Sequence, residues 1–162
     1  MAADADAAGA GATRLETRLA AGTYTGAQTC VGQVANSNAN GSGTPTSGTV
    51  MIMIGPTGLP IENGREVAVG DVGNFSIGEF SASSLVTDVE QSGDEVIVRY
   101  DATITVGLGG FSFQIQGTRE EVYARLDASR MRFERTSQFE SAGAMIPSLN
   151  LQCGGELTLN NP

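Results

Sequence analysis

Apolar and polar side chains alternate most regularly between residues 94 and 106. Polar residues take most odd positions there, while the even positions are apolar: Val96, Val98, Tyr100, Ala102, Ile104 and Val106. Successive side chains of a strand point to opposite faces of the sheet, so the pattern predicts a strand with one buried and one solvated face. At roughly twice the usual length, such a strand is typical of a barrel or a large sandwich.

The same alternation occurs before and after this strand. Residues 85–90 and 111–116 each place apolar side chains on one parity and polar side chains on the other. Turn residues separate the three segments, with Ser92 and Gly93 before the long strand and Gly109 and Gly110 after it. Because such residues form tight hairpins, we expect an antiparallel meander.

Further strands are predicted towards both ends of the chain. Residues 130–140 and 149–159 alternate in the same way, Gly154 and Gly155 mark a candidate bulge, and residues 22–34 form a weaker, glycine-rich strand. The total is about eight strands, the number at which an antiparallel sheet can close. The sequence therefore predicts an all-β, antiparallel up-and-down barrel with a short N-terminal helix, and a β-sandwich is the alternative.

Residues 119–135 fit two structures. The apolar residues change from odd to even positions near Glu120 and Glu121. In addition, Val122, Tyr123 and Leu126 would lie on one face of a helix. We predict a strand that follows a bulge, with a helix over 119–135 as the competing interpretation.

The segment from Val50 to Ile54 is apolar on both faces, which is unusual for a half-solvated sheet. Its outer face must lie under the N-terminal helix, against a second sheet or against another subunit. A homo-oligomer would use one of the two apolar rows of the segment: Val50, Ile52 and Ile54, or Met51 and Met53.

The N-terminal residues differ from the rest of the chain. Residues 1–12 are small and acidic, which predicts a flexible leader outside a single β domain of residues 13–162. Thr13 and Glu16 fit a capping box, so we expect a short helix over 14–21. The leader lacks the features of a secretory signal, so an exported protein would have lost its signal and gained Met1; a native Met1 is the alternative.

Composition limits the classes of function. The chain has 162 residues, 40% of them hydrophobic, with 9 basic and 18 acidic side chains and a net charge of −9. This balance favours a folded core over disorder. No apolar stretch approaches the roughly 20 residues of a membrane helix, and no basic run can neutralise nucleic-acid phosphates. We therefore expect neither a membrane span nor a nucleic-acid partner.

Cys30 lies in the first predicted strand and Cys153 in the last. If the sheet closes, these strands become neighbours, and a disulfide would join them. Such a pair predicts an oxidising compartment, namely the periplasm, the cell surface or the extracellular medium. The alternative is two separate buried thiols.

The sequence contains no His and no Lys, which removes the common general base, the Ser-His-Asp triad and Schiff-base chemistry. Two-carboxylate catalysis has two nominal candidate pairs, Asp88 with Glu90 and Glu120 with Glu121. A solvated strand face explains Asp88 and Glu90 better than catalysis does. The spacing of Asp88, Glu90, Asp94 and Glu95 matches no EF-hand calcium loop, so a charged turn explains them better than a calcium site does. We predict no enzymatic activity, no metal site and no cofactor.

Five of the nine Arg residues fall within residues 119–140, a window that also holds five acidic residues. The charges cancel, so cross-strand ion pairs on an outer face explain the cluster better than an anion site does.

The chain resembles lipocalin-like (calycin) barrels of the bacterial envelope in four features. These are the sequence Gly22-Thr23-Tyr24-Thr25-Gly26, the short helix before it, the meander, and the cysteines in the first and last strands. Tyr24 stands where that superfamily usually has Trp. The resemblance covers residues 13–159 and implies a cup-shaped barrel that binds a small apolar ligand.

The functional prediction combines these observations. We expect an exported, non-enzymatic β-barrel whose inward rows fill the interior or line a small apolar pocket: Tyr24, Val96, Val98, Tyr100, Phe111 and Phe113. The alternative is a structural β-sandwich subunit of a cell-envelope or virion assembly, with the Val50 to Ile54 segment as its interface.

Overall fold

The computed structural model describes residues 18–35, 40–140 and 148–160, and their regular structure is entirely β-strand. This part of the chain contains no helix of the length and hydropathy needed to cross a membrane. The strands are β1 (Gly22–Ala35), β2 (Asn40–Ser42), β3 (Thr46–Ile54), β4 (Ile61–Glu62), β5 (Arg65–Glu66), β6 (Val72–Ile77), β7 (Phe80–Ser92), β8 (Glu95–Leu108), β9 (Phe111–Arg125), β10 (Arg130–Phe139) and β11 (Ser148–Leu159).

Nine of these strands form one antiparallel sheet, in the order β2-β1-β11-β10-β9-β8-β7-β6, with β3 also paired to β1. Strands β6 to β11 follow one another as a meander, because each pairs with the next along the chain. Strands β4 and β5 form a separate hairpin. The all-β, antiparallel class and the predicted meander are confirmed.

The predicted alternation in β8 determines which face of the sheet carries the core. Val98 and Tyr100 are 0% and 1% exposed, whereas the neighbouring odd residue Asp101 is exposed. Buried residues of the other strands, together with Leu19 and Val67 from outside the strands, pack with this row in one cluster: Leu19, Tyr24, Ile54, Val67, Val86, Val96, Val98, Tyr100, Tyr123, Met131, Phe133 and Leu157.

Pairing of the first and last long strands joins the two ends of the domain. Cys30 lies directly opposite Cys153 in the β1/β11 register, and the two form a disulfide with Cα atoms 4.0 Å apart. The predicted disulfide is confirmed. It links residues 123 positions apart, and the loss of chain entropy from closing so long a loop stabilises the fold by several kcal/mol.

The sheet does not close into a barrel within the described residues, because neither β2 nor β3 pairs with β6. Instead, the connection formed by residues 55–71 fills the gap between the two edges. Gln91 of β7 donates a side-chain hydrogen bond to the carbonyl of Thr57, and Val67 is fully buried against the core. The N–H of Gly70 also donates to the carbonyl of Val86 in β7, and the N–H of Val86 donates to the carbonyl of Asp71, so this connection takes the place of a closing strand pair.

The predicted N-terminal helix falls partly on residues 14–17, which lie outside the described residues. The remaining positions, 18–21, contain no helix. Leu19 is nevertheless buried in the core, and the hydroxyl of Tyr24 donates to the carbonyl of Ala20. The segment is therefore held by core packing, which requires no helical hydrogen bonds.

Residues 119–125 and 130–135 are strand, so the helical interpretation of 119–135 is wrong. The bulge expected near Glu120 and Glu121 is absent too, since β9 keeps one register against both β8 and β10. Gly154 and Gly155 cause no register shift either. The sheet has a shift in β7, between Val86 and Asp88.

The two faces of β3 have different environments. Val50, Ile52 and Ile54 pack on the core side, whereas Met51 and Met53 point outwards and are 68% and 47% exposed. The methionines are therefore the row that a partner could reach.

Gly155 lies where the backbone of β1 passes close to that of β11. A Cβ atom added there would overlap the carbonyl oxygen of Ala27, while one added at the neighbouring Gly154 would make ordinary contacts at 3.4 and 3.6 Å. The absence of a side chain at Gly155 lets the two backbones pass.

We expect Gly155→Ala to lower the free energy of unfolding by about 2 kcal/mol, because the backbone of β1 must move away to admit the methyl group. Gly154→Ala is the matched control and should change stability by less than about 1 kcal/mol. Urea denaturation measures both variants. Equal effects at the two positions would contradict the close-approach interpretation.

Candidate functional site

A cleft of about 560 Å³ opens on the inner face of the sheet. It lies between the strands β6 to β8 on one side, β10 and β11 on the other, and the turn of the β4/β5 hairpin. Its volume is typical of small-molecule sites. The apolar residues that line it are Phe75, Ala82, Ala102, Ile104, Phe139 and Leu151.

One end of the cleft is polar and borders the packed core. The residues of β9 that face the inner side of the sheet show this order. Along this row, Tyr123 is buried in the core, Glu121 and then Arg119 line the cleft, and Ile115 follows further out. The inward row of β10 likewise passes from buried Phe133 to Arg135. A layer of charged groups therefore separates the solid core from the open cleft.

Glu121 is the centre of this layer and is only 1% exposed. Arg135 lies directly opposite it in the β9/β10 register and donates from Nε to Oε1 at 2.6 Å. The hydroxyl of Tyr123 donates to Oε2, and the hydroxyl of Tyr100 lies 3.2 Å from the same oxygen. Neighbours on the same face of the sheet, from β9 itself and from the adjacent strands, thus supply the hydrogen bonds that a buried carboxylate requires.

The surrounding charges keep Glu121 ionised. Burial alone would raise its pKa, but Arg135, Arg119 and the hydrogen bond from Tyr123 outweigh burial, so the pKa of Glu121 is lowered. Burial and the nearby carboxylate raise the pKa of Tyr123, and the same two causes raise the pKa of Tyr100. Both phenols therefore remain protonated donors at neutral pH.

The two guanidinium groups rest on aromatic rings. The Cζ atom of Arg119 lies 3.9 Å from the ring centroid of Tyr100, its direct partner in β8, and that of Arg135 lies 5.3 Å from the ring centroid of Phe133. Stacking of this kind holds a guanidinium group in place while leaving N–H groups at its edge available for further bonds.

Glu62 reaches the cleft from outside the main sheet. It ends β4, immediately before the turn at Asn63 and Gly64, which have φ values of 52° and 80°. Positive φ at both positions is the requirement of a type I′ turn. The hydroxyl of Tyr100 donates to Oε1 of Glu62 at 2.6 Å, which ties the hairpin to the charged layer.

The six predicted ligand-binding residues have two different environments. Tyr24, Val96, Val98 and Tyr100 are buried in the packed core, whereas Phe111 and Phe113 are 74% and 41% exposed near the end of the sheet. None of the six is among the described residues that line the 560 Å³ cleft. Ligand contact by these residues stays a prediction.

The acidic residues considered as nominal catalytic or calcium groups mostly lie on the outer face. Asp88, Glu90 and Glu120 surround Arg99 as exposed ion pairs. Glu121, by contrast, lies on the inner face, so Glu120 and Glu121 point to opposite sides of the sheet. The described residues contain no group of three or more Cys, Asp or Glu placed to hold a metal ion.

Sequence reasoning missed the charged residues of the cleft: Glu62, Arg119, Glu121 and Arg135. It placed the arginines of residues 119–140 on an outer face, and two of them do lie there, since Arg130 and Arg132 are exposed; Arg125 is half-buried at the end of the inward row of β9. The sequence did contain a signal for their position. Arg119, Glu121 and Tyr123 are odd-numbered, like the apolar residues Phe111, Phe113 and Ile115, so all six share one face of the strand.

No family model matches the chain, and neither a curated protein nor a solved structure is found to be similar to it.

We expect Glu121→Gln to lower the free energy of unfolding by about 3 kcal/mol near neutral pH, because it leaves Arg119 and Arg135 without their shared carboxylate. The pKa of Glu121 is lowered in the folded state, so the stabilisation is complete above the ordinary carboxyl pKa and is lost as pH falls through the lowered value. The difference from the wild type should therefore shrink in acid.

Denaturant unfolding at a series of pH values measures this difference. Glu120→Gln is the matched control, since it removes the same charge from the adjacent, exposed position and should change stability by less than about 1 kcal/mol. A Glu121→Gln variant as stable as the wild type near neutral pH would contradict the assigned role.

Proposed function

We propose that this chain is a non-enzymatic, lipocalin-like β domain that binds a small, largely apolar ligand in the cleft. The observation that carries the proposal is the cleft itself, about 560 Å³ in volume, whose lining combines six apolar side chains with polar ones and whose charged end is held by Glu121. A concave site of this volume, with apolar surface and placed polar groups, suits a small molecule.

The strand plan supports a cup-shaped domain. The first and last long strands are paired, the meander curls between them, and residues 55–71 occupy the gap that a closing strand pair would fill. In this proposal the packed core forms the solid base of the cup, and the ligand enters from the open end beyond Arg119. The base shields the end of the ligand that contacts it from water, while the end near the entrance stays accessible to solvent.

We expect the protein to take up Nile red, an uncharged dye whose fluorescence rises in apolar surroundings. Ala102→Phe should reduce the affinity about tenfold or more, because its ring would occupy the cleft that Ala102 lines. Thr158→Phe is the matched control, since Thr158 is exposed on the opposite face of the sheet and its substitution should leave uptake unchanged. Fluorescence titration measures both.

Two outcomes would overturn the proposal: no uptake of dye by the folded wild type, or equal affinity of the two variants. Circular dichroism must first show that each variant is folded, so that loss of dye uptake reports on the cleft. Ser84→Phe provides a second cleft-filling substitution if Ala102→Phe does not fold.

A structural role in an assembly is the second candidate, favoured by the exposed methionines of β3. Met51 and Met53 form an apolar row on an edge strand whose residues 46–54 carry no charged side chain. Edge strands of this kind readily pair with another chain. Light scattering distinguishes the two functions: an oligomer that dissociates on dilution and ignores Nile red supports assembly, and a monomer that takes up the dye supports binding.

We also propose that the protein works outside the cytoplasm, in the periplasm, at the cell surface or after secretion. The Cys30–Cys153 disulfide is the support, since structural disulfides persist in oxidising compartments.

Alkylation followed by intact-mass measurement tests the location. Protein isolated from its native source should gain no alkyl group without a reductant and two groups after reduction. Two free thiols in unreduced, freshly isolated protein would contradict export to an oxidising compartment.

A further inference from the structure

We propose that the cleft prefers a ligand whose polar end is uncharged and carries both a hydrogen-bond acceptor and a donor, as a primary amide does. This inference rests on the proposed binding function and specifies the chemical class of its ligand. Three properties of the polar end of the cleft carry it: unused donors on two arginines, an unused acceptor on Glu62, and a balance of charge.

The unused donors belong to Arg119 and Arg135. The Nε group of Arg119 is buried 3.4 Å from Glu121 and is out of reach of a ligand, so the donors that remain are the terminal N–H groups of this side chain. Arg135 makes its described hydrogen bond from Nε, at 2.6 Å to Glu121. A guanidinium group has five N–H donors, so both side chains can donate to an oxygen atom of a ligand. The polar end of the ligand must therefore contain an acceptor.

The unused acceptor belongs to Glu62. This carboxylate lines the cleft, and within the described part of the chain its hydrogen bond comes from the hydroxyl of Tyr100 to Oε1. No arginine of the described residues forms an ion pair with it at 4.0 Å or less. A carboxylate has room for several donors, so an N–H or O–H group of the ligand can bond to its second oxygen.

Charge decides between neutral and ionised ligands. Arg119 and Arg135 supply two positive charges at the polar end, and Glu62 and Glu121 supply two negative charges. An anionic ligand would be attracted by the two arginines, but its charge would lie beside the carboxylate of Glu62, within a protein of net charge −9. A cationic ligand would gain Glu62 but would face both guanidinium groups. Removing any uncompensated charge from water is costly, so an uncharged polar end is favoured.

Three ten-carbon compounds that differ only at the polar end test this preference: decanamide, decanoic acid and decylamine. Each competes with Nile red for the wild-type protein near neutral pH, below its own solubility limit. Decanamide should displace the dye at a concentration at least tenfold lower than that of either ionised compound. Equal or stronger displacement by the acid or the amine overturns the inference and leaves the proposed binding function standing.

The two levels of the proposal fail in different ways. Dye uptake without displacement by decanamide also overturns the preference, whereas a folded protein that takes up no dye overturns the binding function itself.

Glu62→Gln tests the role assigned to the carboxylate. The amide side chain retains one acceptor oxygen for Tyr100, but it replaces the second oxygen by an N–H donor and removes the negative charge. Decanoic acid should therefore bind about tenfold more tightly, and decanamide, which loses the acceptor for its N–H group, should bind less tightly. Glu134→Gln is the matched control, because it removes an equal charge from the exposed outer face, where Glu134 pairs with Arg132. The same acid-to-amide ratio in both variants would overturn the assignment.

Discussion

A carboxylate buried in the middle of a sheet is the constraint on which this structure depends. Glu121 is kept ionised by Arg135 directly across the strand pair, with Arg119 nearby and Tyr123 donating to it. Such a group is tolerated only when its partners are complete, so their positions are fixed together. Apolar packing ends at this layer, because two guanidinium groups and a carboxylate cannot be covered by further apolar side chains without loss of hydration. The solid core therefore changes into an open cleft at this point along the strands.

Most of the architecture could be predicted from local pattern. The even-numbered residues of β8 are buried from Val96 to Tyr100, and their regular alternation with polar residues predicts both the strand and its buried face. The glycine-containing turns then fixed the meander, and the positions of Cys30 and Cys153 identified the paired terminal strands. These features follow from side-chain alternation and turn chemistry, which act over a few residues and are recorded directly in the sequence.

The candidate site could not be predicted in the same way. Along β9 the inward row includes Arg119 and Glu121, and a charged residue on a strand normally indicates a solvated face. Their burial depends on Arg135 from β10 and Tyr100 from β8, which are distant in sequence, so no window around residue 120 contains the reason. Read alone, the apolar residue Val122 shifts the pattern to the even positions, which predicts a bulge or a helix, although the strand continues without interruption. The segment from Val50 to Ile54 poses a different difficulty. Both of its faces are apolar, so the sequence does not indicate which face is buried.

The departure from a closed barrel and the chemistry of the cleft have a common origin. Residues 55–71 occupy the gap where a closing strand pair would lie, through Val67 in the core and Thr57 against β7. The same segment includes the β4/β5 hairpin, so it carries Glu62 to Tyr100 at the polar end. A direct pair between β3 and β6 would fill this space with backbone hydrogen bonds and leave no position for an acidic side chain from outside the sheet. The open edge thus supplies the second carboxylate that balances the two arginines, and the electrostatic character of the cleft follows from the way the sheet fails to close.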